Sequence, residues 1–299
     1  MSIENLSHLP FCTWHTRGPL ASLRIEHPLF SAEILRQGAQ LIHFAPRHQT
    51  SWVWLSETAL FERGVSVRGG IPLCWPWFGQ PARNPDAVRA NMLKPGAHGF
   101  ARSMDWQLDQ CHIRAHGVDL TFRLESNAHT HTHWPHDFVL EARFQLGKTL
   151  QLELTTRNTG HRAFTFTQAL HTYLPTQDIH QTRIDGFSGR PYVDTLLHWQ
   201  TRHQAGPIRF QGETDRIYDA GLRQTLYTPD RILHLSPHGS ATTVIWNPWI
   251  RKAKTLSGFA PDAWQRMLCV ETANALDDAV TLAPGEDFTL GMTLTAEQR

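Results

Sequence analysis

Residues 138–157 read FVLEARFQLGKTLQLELTTR and form the clearest hairpin pattern in the chain. In the second half Leu150, Leu152 and Leu154 alternate with polar residues, and Gly147-Lys148 stands between the two halves. Successive side chains of a β-strand point to opposite faces, and a short turn containing glycine is typical of a hairpin. Phe138–Arg157 is therefore predicted to be an antiparallel hairpin.

Further strand patterns occur on both sides of this hairpin. They are Leu23–His27, Ala32–Leu35 and Leu41–Phe44 around a turn at Gly38, Ser51–Leu55, a second hairpin over Trp106–Glu125, and Phe164–Tyr173. Helical patterns are confined to Ser56–Phe61 and Pro261–Gln265, and Gln80–Gly96 is predicted to be a long surface loop. Many short strands predict an all-β fold, a large antiparallel β-sandwich with few short helices. We expect one domain over residues 1–299, with residues 1–20 as a partly ordered N-terminal arm.

The charge balance argues against two classes of partner. Lys and Arg number 28 and Asp and Glu number 27, which gives a formal net charge of +1 without a long run of one sign. Nucleic acids and anionic membranes are bound by concentrated positive charge, so neither is expected as a partner. No apolar run approaches the roughly 20 residues that span a bilayer. We expect a monomer that binds a small molecule.

The cysteines and the N-terminal residues indicate a cellular compartment. Cys12, Cys74, Cys111 and Cys269 are widely spaced and include no Cys-x-x-Cys pair, which favours reduced thiols over a disulfide framework or a zinc site. The N-terminal sequence Met-Ser-Ile-Glu-Asn lacks the basic flank and apolar core of a secretory signal. A cytoplasmic protein is expected.

Val67–Gly79, VRGGIPLCWPWFG, is incompatible with a regular helix. Adjacent glycines permit positive φ or close backbone approach, and two prolines remove backbone donors. Its aromatic residues form an apolar wall with Arg68 at the front edge. Tryptophan suits the apolar faces of a sugar, and an arginine fork suits an anion. The alternative is a core loop whose tryptophans only pack and whose arginine is solvated.

Phe164–Tyr173 is the most informative predicted strand. If it has no bulge, Phe164, Phe166 and Leu170 share one face, and His171 lies on the other. His171 would then point away from the phenylalanine-rich face. With 19 histidines in the chain, a histidine chosen by eye is more often structural than functional.

Seven segments, in order, resemble the glucose-6-phosphate 1-epimerase branch of the aldose 1-epimerase superfamily. They are Val67–Gly79, His98–Arg102, Trp134–Phe138, Ala169–Tyr173, Thr214–Tyr218, Val244–Trp249 and Met267–Glu271. The resemblance extends over roughly residues 20–295. It implies a fold similar to galactose mutarotase and interconversion of the α and β anomers of hexose 6-phosphates, most of all glucose 6-phosphate. No cofactor and no metal are implied.

The resemblance implies that Glu271 is the catalytic base and His171 the catalytic acid. Glu271 ends the apolar run Met267–Val270, so partial burial would raise its pKa toward neutrality. Histidine titrates near neutrality and can return a proton within one turnover. A glutamate at the end of a strand is more often simply solvated.

The resemblance also implies four substrate-binding residues. Arg68 and Arg102 correspond to the pair that holds the C6 phosphate, which two guanidinium forks suit. His98 would donate to a sugar oxygen, and Asp215 would accept from a hydroxyl. Each has an ordinary alternative: a surface charge, a histidine bonded to backbone, or a local ion pair with Arg216. Trp75, Trp77 and Trp249 are candidates for the floor of the site, with core packing as the alternative.

Two features bear on ligand choice. Ala97 stands where some relatives carry a glutamine in the substrate site, and Gln80 is a possible substitute. Residues 129–133 read His-Thr-His-Thr-His, and on a strand these histidines would face one way, as metal ligands can. The better interpretation is an incidental surface tract that binds nickel or zinc adventitiously.

Two other functions remain open. One is a non-catalytic sugar-phosphate binding protein of the same fold, which would need the arginines but neither an acid nor a base. The other is a glycoside hydrolase with Asp215 and Glu271 as its two carboxylates, which requires a separation of about 5–9.5 Å.

Overall fold

The computed structural model describes residues 9–298, and its regular elements are mostly antiparallel strands. Strands β1 to β12 are Cys12–Arg17, Leu20–His27, Phe30–Leu35, Leu41–Pro46, Leu73–Cys74, Gln107–Arg114, Gly117–Glu125, Phe138–Leu146, Leu150–Asn158, Phe164–Phe166, Gln168–Leu170 and Tyr173–Pro175. Strands β13 to β23 are Arg183–Asp185, Pro191–Asp194, Gln200–His203, Ile208–Arg209, Thr214–Asp219, Gln224–Tyr227, Arg231–His238, Thr242–Asn247, Met267–Asn274, Val280–Leu282 and Asp287–Gln298. Helices α1, α2 and α3 are Asp86–Arg89, Ala128–His131 and Trp249–Ala253. Short 3₁₀ turns occur at Pro81–Arg83, Ala101–Ser103, Ile179–Gln181, Ala263–Gln265 and Leu276–Asp278.

Two large sheets account for most of the strands. The first has nine strands in the order β16-β13-β18-β19-β23-β9-β8-β7-β6. The second has the order β15-β14-β17-β20-β21-β11-β5, with β12 pairing with β21 as the eighth strand. A four-stranded sheet, β1-β2-β3-β4, and the pair β10-β22 complete the described sheets. The predicted all-β architecture with few short helices is confirmed.

The core lies between the two large sheets. Strand β21 contributes Leu268 and Val270 to the same apolar cluster as Leu290 and Met292 of β23. Alternation along β21 therefore directs Cys269, Glu271 and Ala273 to the opposite face of the eight-stranded sheet. That face carries the candidate site.

The predicted hairpins match the structure closely. Phe138–Arg157 becomes β8 and β9, and Trp106–Glu125 becomes β6 and β7. Leu150, Leu152 and Leu154 are all fully buried. Alternation was informative here because one face of each strand is packed and the other is solvated.

Three local predictions were wrong. Ser51–Leu55 is not a strand, and its three central residues are all buried. The backbone N–H groups of Trp52 and Trp54 donate to the carbonyl oxygens of Phe44 and Tyr173. Ser56–Phe61 contains no helix. Phe164–Tyr173 is not one strand, because β10 pairs with β22 whereas β11 pairs with β21. Residues 12–17 of the predicted arm form β1, and residues 1–8 of that arm lie outside the described part of the chain.

The described residues include no helix long and apolar enough to cross a membrane. The four cysteines are free thiols. The assignment of residues 1–299 to one domain stays a prediction.

Candidate active site

His171 and Glu271 are brought together by the register of two antiparallel strands. Leu170 pairs with Thr272 at the end of β11, and Tyr173 pairs with Cys269 at the start of β12. These two pairs follow one continuous register, which places His171 opposite Glu271. Directly opposed side chains lie close together in an antiparallel sheet. His171 Nε2 is 3.4 Å from Glu271 Oε1.

Burial dominates the electrostatics of this pair. His171 is 8% exposed and Glu271 is 2% exposed. Desolvation, reinforced by the charges of Arg102 and Arg68, lowers the pKa of His171 to about 3. Desolvation also raises the pKa of Glu271 well above its usual value, and the charge of Asp215 adds to this. Both shifts favour the uncharged forms, a protonated carboxyl on Glu271 and a neutral imidazole on His171.

His98 is held in a fixed tautomer by its loop. Its backbone N–H donates to Gly79 O at 2.9 Å, and the Gly79 N–H donates to His98 Nδ1 at 3.3 Å. Nδ1 is thus an acceptor, so Nε2 carries the hydrogen. Burial lowers the pKa of His98 well below its usual value, which keeps the ring neutral. Its ring lies 5.4 Å from that of His171, centroid to centroid.

The sharp turn at Gly99 fixes where His98 lies. Gly99 has φ of +66°, and a Cβ there would stand 2.0 Å from Trp75 O. Only glycine fits such close backbone contact. The loop therefore lies tightly against the aromatic wall.

The positive charges of Arg68 and Arg102 both lower the pKa of His171. Arg68 Nη1 donates to the Tyr173 hydroxyl at 3.4 Å, and its buried Nε has no hydrogen-bond partner among the described residues. Arg102 Nη2 donates to Ala97 O at 2.8 Å. Ala97 thus contacts the second arginine through its backbone carbonyl. Both arginine residues are partly exposed and retain donors for an anion.

Asp215 belongs to a row of residues that crosses the sheet. It pairs with Trp246, Trp246 pairs with Cys269, and Cys269 pairs with Tyr173. Glu271 stands two residues beyond Cys269 and therefore faces the same way. Burial raises the pKa of Asp215, and the Thr195 hydroxyl and Lys252 oppose the shift.

All six predicted site residues thus come together on or beside one face of the eight-stranded sheet: Arg68, His98, Arg102, His171, Asp215 and Glu271. Sequence reasoning missed Tyr173, Trp246 and Cys269 as neighbours of the pair. The alternation Cys269-Val270-Glu271 already placed the thiol on the face of the carboxylate. The roles of all these residues stay predictions.

The candidate floor tryptophans divide into two groups. Trp75 and Trp77 are 0% and 1% exposed and pack in the core, so they do not form an open floor. Trp249 is partly buried and packs on Trp264 with ring centroids 4.4 Å apart.

The histidine tract is not a strand. It lies in and after α2, which Asn127 begins with a capping box to Thr130. His131 contacts Asp137 at 3.0 Å. Among the described residues, the side chains close enough to hold a metal ion are not in this tract. They are His171, Cys269 and Glu271.

Comparison with known proteins shows which proteins this chain is similar to. The aldose 1-epimerase family model matches residues 21–295. A protein of Escherichia coli K12 named "Putative glucose-6-phosphate 1-epimerase" is 34% identical over 255 residues, covering 84% of this chain and 82% of its own length. A protein of the same name from Cenchrus ciliaris is 32% identical over 282 residues, covering 89% and 81%.

Solved structures give the same result at the level of the fold. A protein from Salmonella typhimurium described as "a putative mutarotase (YeaD)" superposes with a TM-score of 0.88 at 30% identity, covering 98% of this chain and 95% of that one. The galactose 1-epimerase of Lactobacillus acidophilus NCFM superposes with a TM-score of 0.73 at 14% identity, covering 96% and 98%. The second likeness supports the fold alone.

Proposed function

This chain belongs to the aldose 1-epimerase family, whose reaction is the interconversion of sugar anomers, and we propose that its substrate is a hexose 6-phosphate, glucose 6-phosphate first. The observation that carries the proposal is the contact of His171 with Glu271 beside two arginines whose charges reach the histidine. A neutral sugar would leave those guanidinium groups without an anionic partner. A sugar phosphate supplies one.

The proposed reaction is acid–base ring opening and closing. Glu271 as carboxylate removes the proton of the anomeric hydroxyl, and His171 as imidazolium protonates the ring oxygen while the C1–O5 bond breaks. The open-chain aldehyde rotates, and the two residues reverse their roles as the ring closes on the other carbonyl face. Each group contributes roughly 10²–10⁴-fold to such a step.

The phosphate has a second proposed effect. Without a bound anion, burial and the arginine charges favour the neutral imidazole of His171. A phosphate dianion at Arg68 and Arg102 would cancel much of that positive field. Transfer of the proton from Glu271 to His171 then costs less, and this transfer generates the carboxylate and imidazolium that the reaction needs.

The remaining polar side chains have binding roles in this proposal. His98 donates its Nε2–H to a sugar oxygen, and Asp215 accepts from a hydroxyl. Both are held in partly or fully desolvated surroundings, where hydrogen bonds to charged or polar partners discriminate best.

Saturation-transfer NMR at the anomeric proton tests the proposal. We expect this protein to accelerate anomer exchange of glucose 6-phosphate at least 10-fold more than that of glucose, with galactose and mannose 6-phosphates as comparators. Calorimetric binding of glucose 6-phosphate without exchange would favour a non-catalytic binding protein. Release of the aglycone from an aryl glycoside would favour a hydrolase.

A further inference from the structure

Three different metal-ligand types meet at the candidate active site. Ligand atoms of His171, Cys269 and Glu271 all lie within 4.8 Å of one another. Cys269 is fully buried, and it has no part in the proposed reaction. Glu271 Oε2 and His171 Nδ1 are buried without a hydrogen-bond partner among the described residues. These atoms retain lone pairs or protons that a ligand could satisfy.

One of the three distances between the ligand atoms already suits a tetrahedral ion. Zinc bonds of about 2.0–2.3 Å to nitrogen, oxygen and sulfur put neighbouring ligand atoms roughly 3.3–3.7 Å apart. His171 Nε2 and Glu271 Oε1 already stand 3.4 Å apart. A set of one imidazole, one thiolate and one carboxylate is typical of zinc and its softer congener cadmium. Three protein ligands leave a fourth position for water.

We propose that His171, Cys269 and Glu271 form a binding site for a zinc-group divalent ion, which acts as a reversible inhibitor and not as a resident cofactor. On binding, the ion exchanges waters for the three side chains. The Cys269 thiol and the Glu271 carboxyl each release a proton to the solvent, and neutral His171 donates its lone pair. The ion then occupies the space between the proposed base and acid, so the sugar cannot bind there.

The surrounding charge sets the expected strength of binding. Thiolate and carboxylate together neutralise the dication, but Arg68 and Arg102 add positive charge nearby. Repulsion from the arginines weakens metal binding, so a chelator should remove the ion readily. Arg102→Met is therefore expected to tighten metal binding several-fold while it weakens binding of a sugar phosphate. A purely structural effect of the substitution would weaken both.

Cadmium titration of the whole chain tests the site without any assay of activity. Cadmium–thiolate charge-transfer absorption requires sulfur, so the histidine tract at residues 129–133 is silent in it. We expect one cadmium ion per chain, and at least a 10-fold loss of affinity in Cys269→Ser. Cys12→Ser, which removes one thiol of the neighbouring Cys12–Cys111 pair, is the control for cadmium binding by that pair and is expected to retain the absorption. Loss of the absorption in Cys12→Ser with retention in Cys269→Ser would overturn the proposal.

Inhibition is the second measurement, and only this part rests on the proposed function. Zinc is expected to compete with glucose 6-phosphate, to be reversed by EDTA, and to act at least 10-fold more weakly on Cys269→Ser, each variant being compared with its own uninhibited rate. Cadmium binding at Cys269 in a protein without exchange activity would refute the proposed function alone. Exchange activity without cadmium absorption at Cys269 would refute the metal site alone.

Discussion

The ring of Tyr173 stacks on the imidazole of His171, with centroids 4.9 Å apart and planes inclined by 17°. The hydroxyl of the same tyrosine accepts from Arg68 Nη1 at 3.4 Å. Tyr173 therefore contacts both a candidate phosphate ligand and a candidate proton carrier. Burial holds this residue in place, since it is 2% exposed.

The two contacts of Tyr173 can be separated by substitution. Tyr173→Phe keeps the stack and loses the long hydrogen bond to Arg68, so we expect KM for glucose 6-phosphate to rise about 3–10-fold with a smaller change in kcat. Tyr173→Leu also removes the stack and is expected to lower kcat at least 10-fold. Steady-state exchange kinetics distinguish the two effects. Equal losses of kcat in both variants would contradict the assignment.

Arg102 is expected to contribute binding energy for phosphorylated sugars and not for unphosphorylated ones. Arg102→Met removes charge-assisted hydrogen bonds of about 1.5–3 kcal/mol, which corresponds to a rise in KM for glucose 6-phosphate of roughly 10–100-fold. The rate with unphosphorylated glucose should not fall, because loss of the Arg102 charge favours proton transfer to His171. Arg202→Met, at an exposed position of β15, is the matched control. A similar loss with both sugars would show that Arg102 does not read the phosphate.

The buried histidine predicts how stability depends on pH. The pKa of His171 is about 3 in the folded protein and about 6.5 in an unfolded chain, so protons bind the unfolded state preferentially between these values. The stabilisation is complete above about pH 6.5 and is lost as the pH falls toward 3, by at most roughly 4–5 kcal/mol. The raised pKa of Glu271 has the opposite effect on stability. The stabilisation from this carboxyl is present at low pH and is lost as the pH rises.

Thermal unfolding measured at pH 7 and pH 4 checks this dependence. His171→Gln is expected to lose less Tm than the unmodified protein between the two pH values. His116→Gln, at an exposed turn position, should behave as the unmodified protein does. Identical pH dependence in all three proteins would contradict the burial argument.

Elements of the fold could be predicted from the sequence where the pattern of neighbouring residues alone determines the structure. The β8–β9 hairpin was readable because each strand has one buried and one solvated face. Trp52 and Trp54 suggested the same pattern, but Val53 between them is buried too, so no alternation exists at Ser51–Leu55. The tertiary environment of that segment determined its structure.

One part of the candidate site could be predicted from local sequence patterns, and another part could not. Strand alternation predicted that His171 points away from Phe164 and Phe166, although Phe164–Tyr173 is not one strand. Which strands pair is a long-range property that no local pattern contains. Asn127 and Thr130 carried a capping-box-like signal for α2 that the histidine tract obscured. The stack of Tyr173 on His171 depends on the register of β12 against β21.

The β8–β9 hairpin also predicts where the fold is most sensitive. Leu152 is fully buried and pairs with Phe144, so Leu152→Ala is expected to destabilise the protein by about 2–5 kcal/mol through the lost contacts and the cavity. Gln151→Ala, on the opposite face of β9, should change the free energy of unfolding by less than about 0.5 kcal/mol. Urea unfolding measures both. Equal effects would mean that the hairpin does not pack as described.

Anomer exchange of glucose 6-phosphate in the unmodified protein and in Glu271→Gln tests the central claim most directly. Gln keeps the size of the side chain and cannot take up the proton of the anomeric hydroxyl, so exchange should fall roughly 10²–10⁴-fold while circular dichroism stays unchanged. His171→Gln should lower exchange over the same range. Exchange at the same rate in all three folded proteins would contradict a reaction carried by this pair.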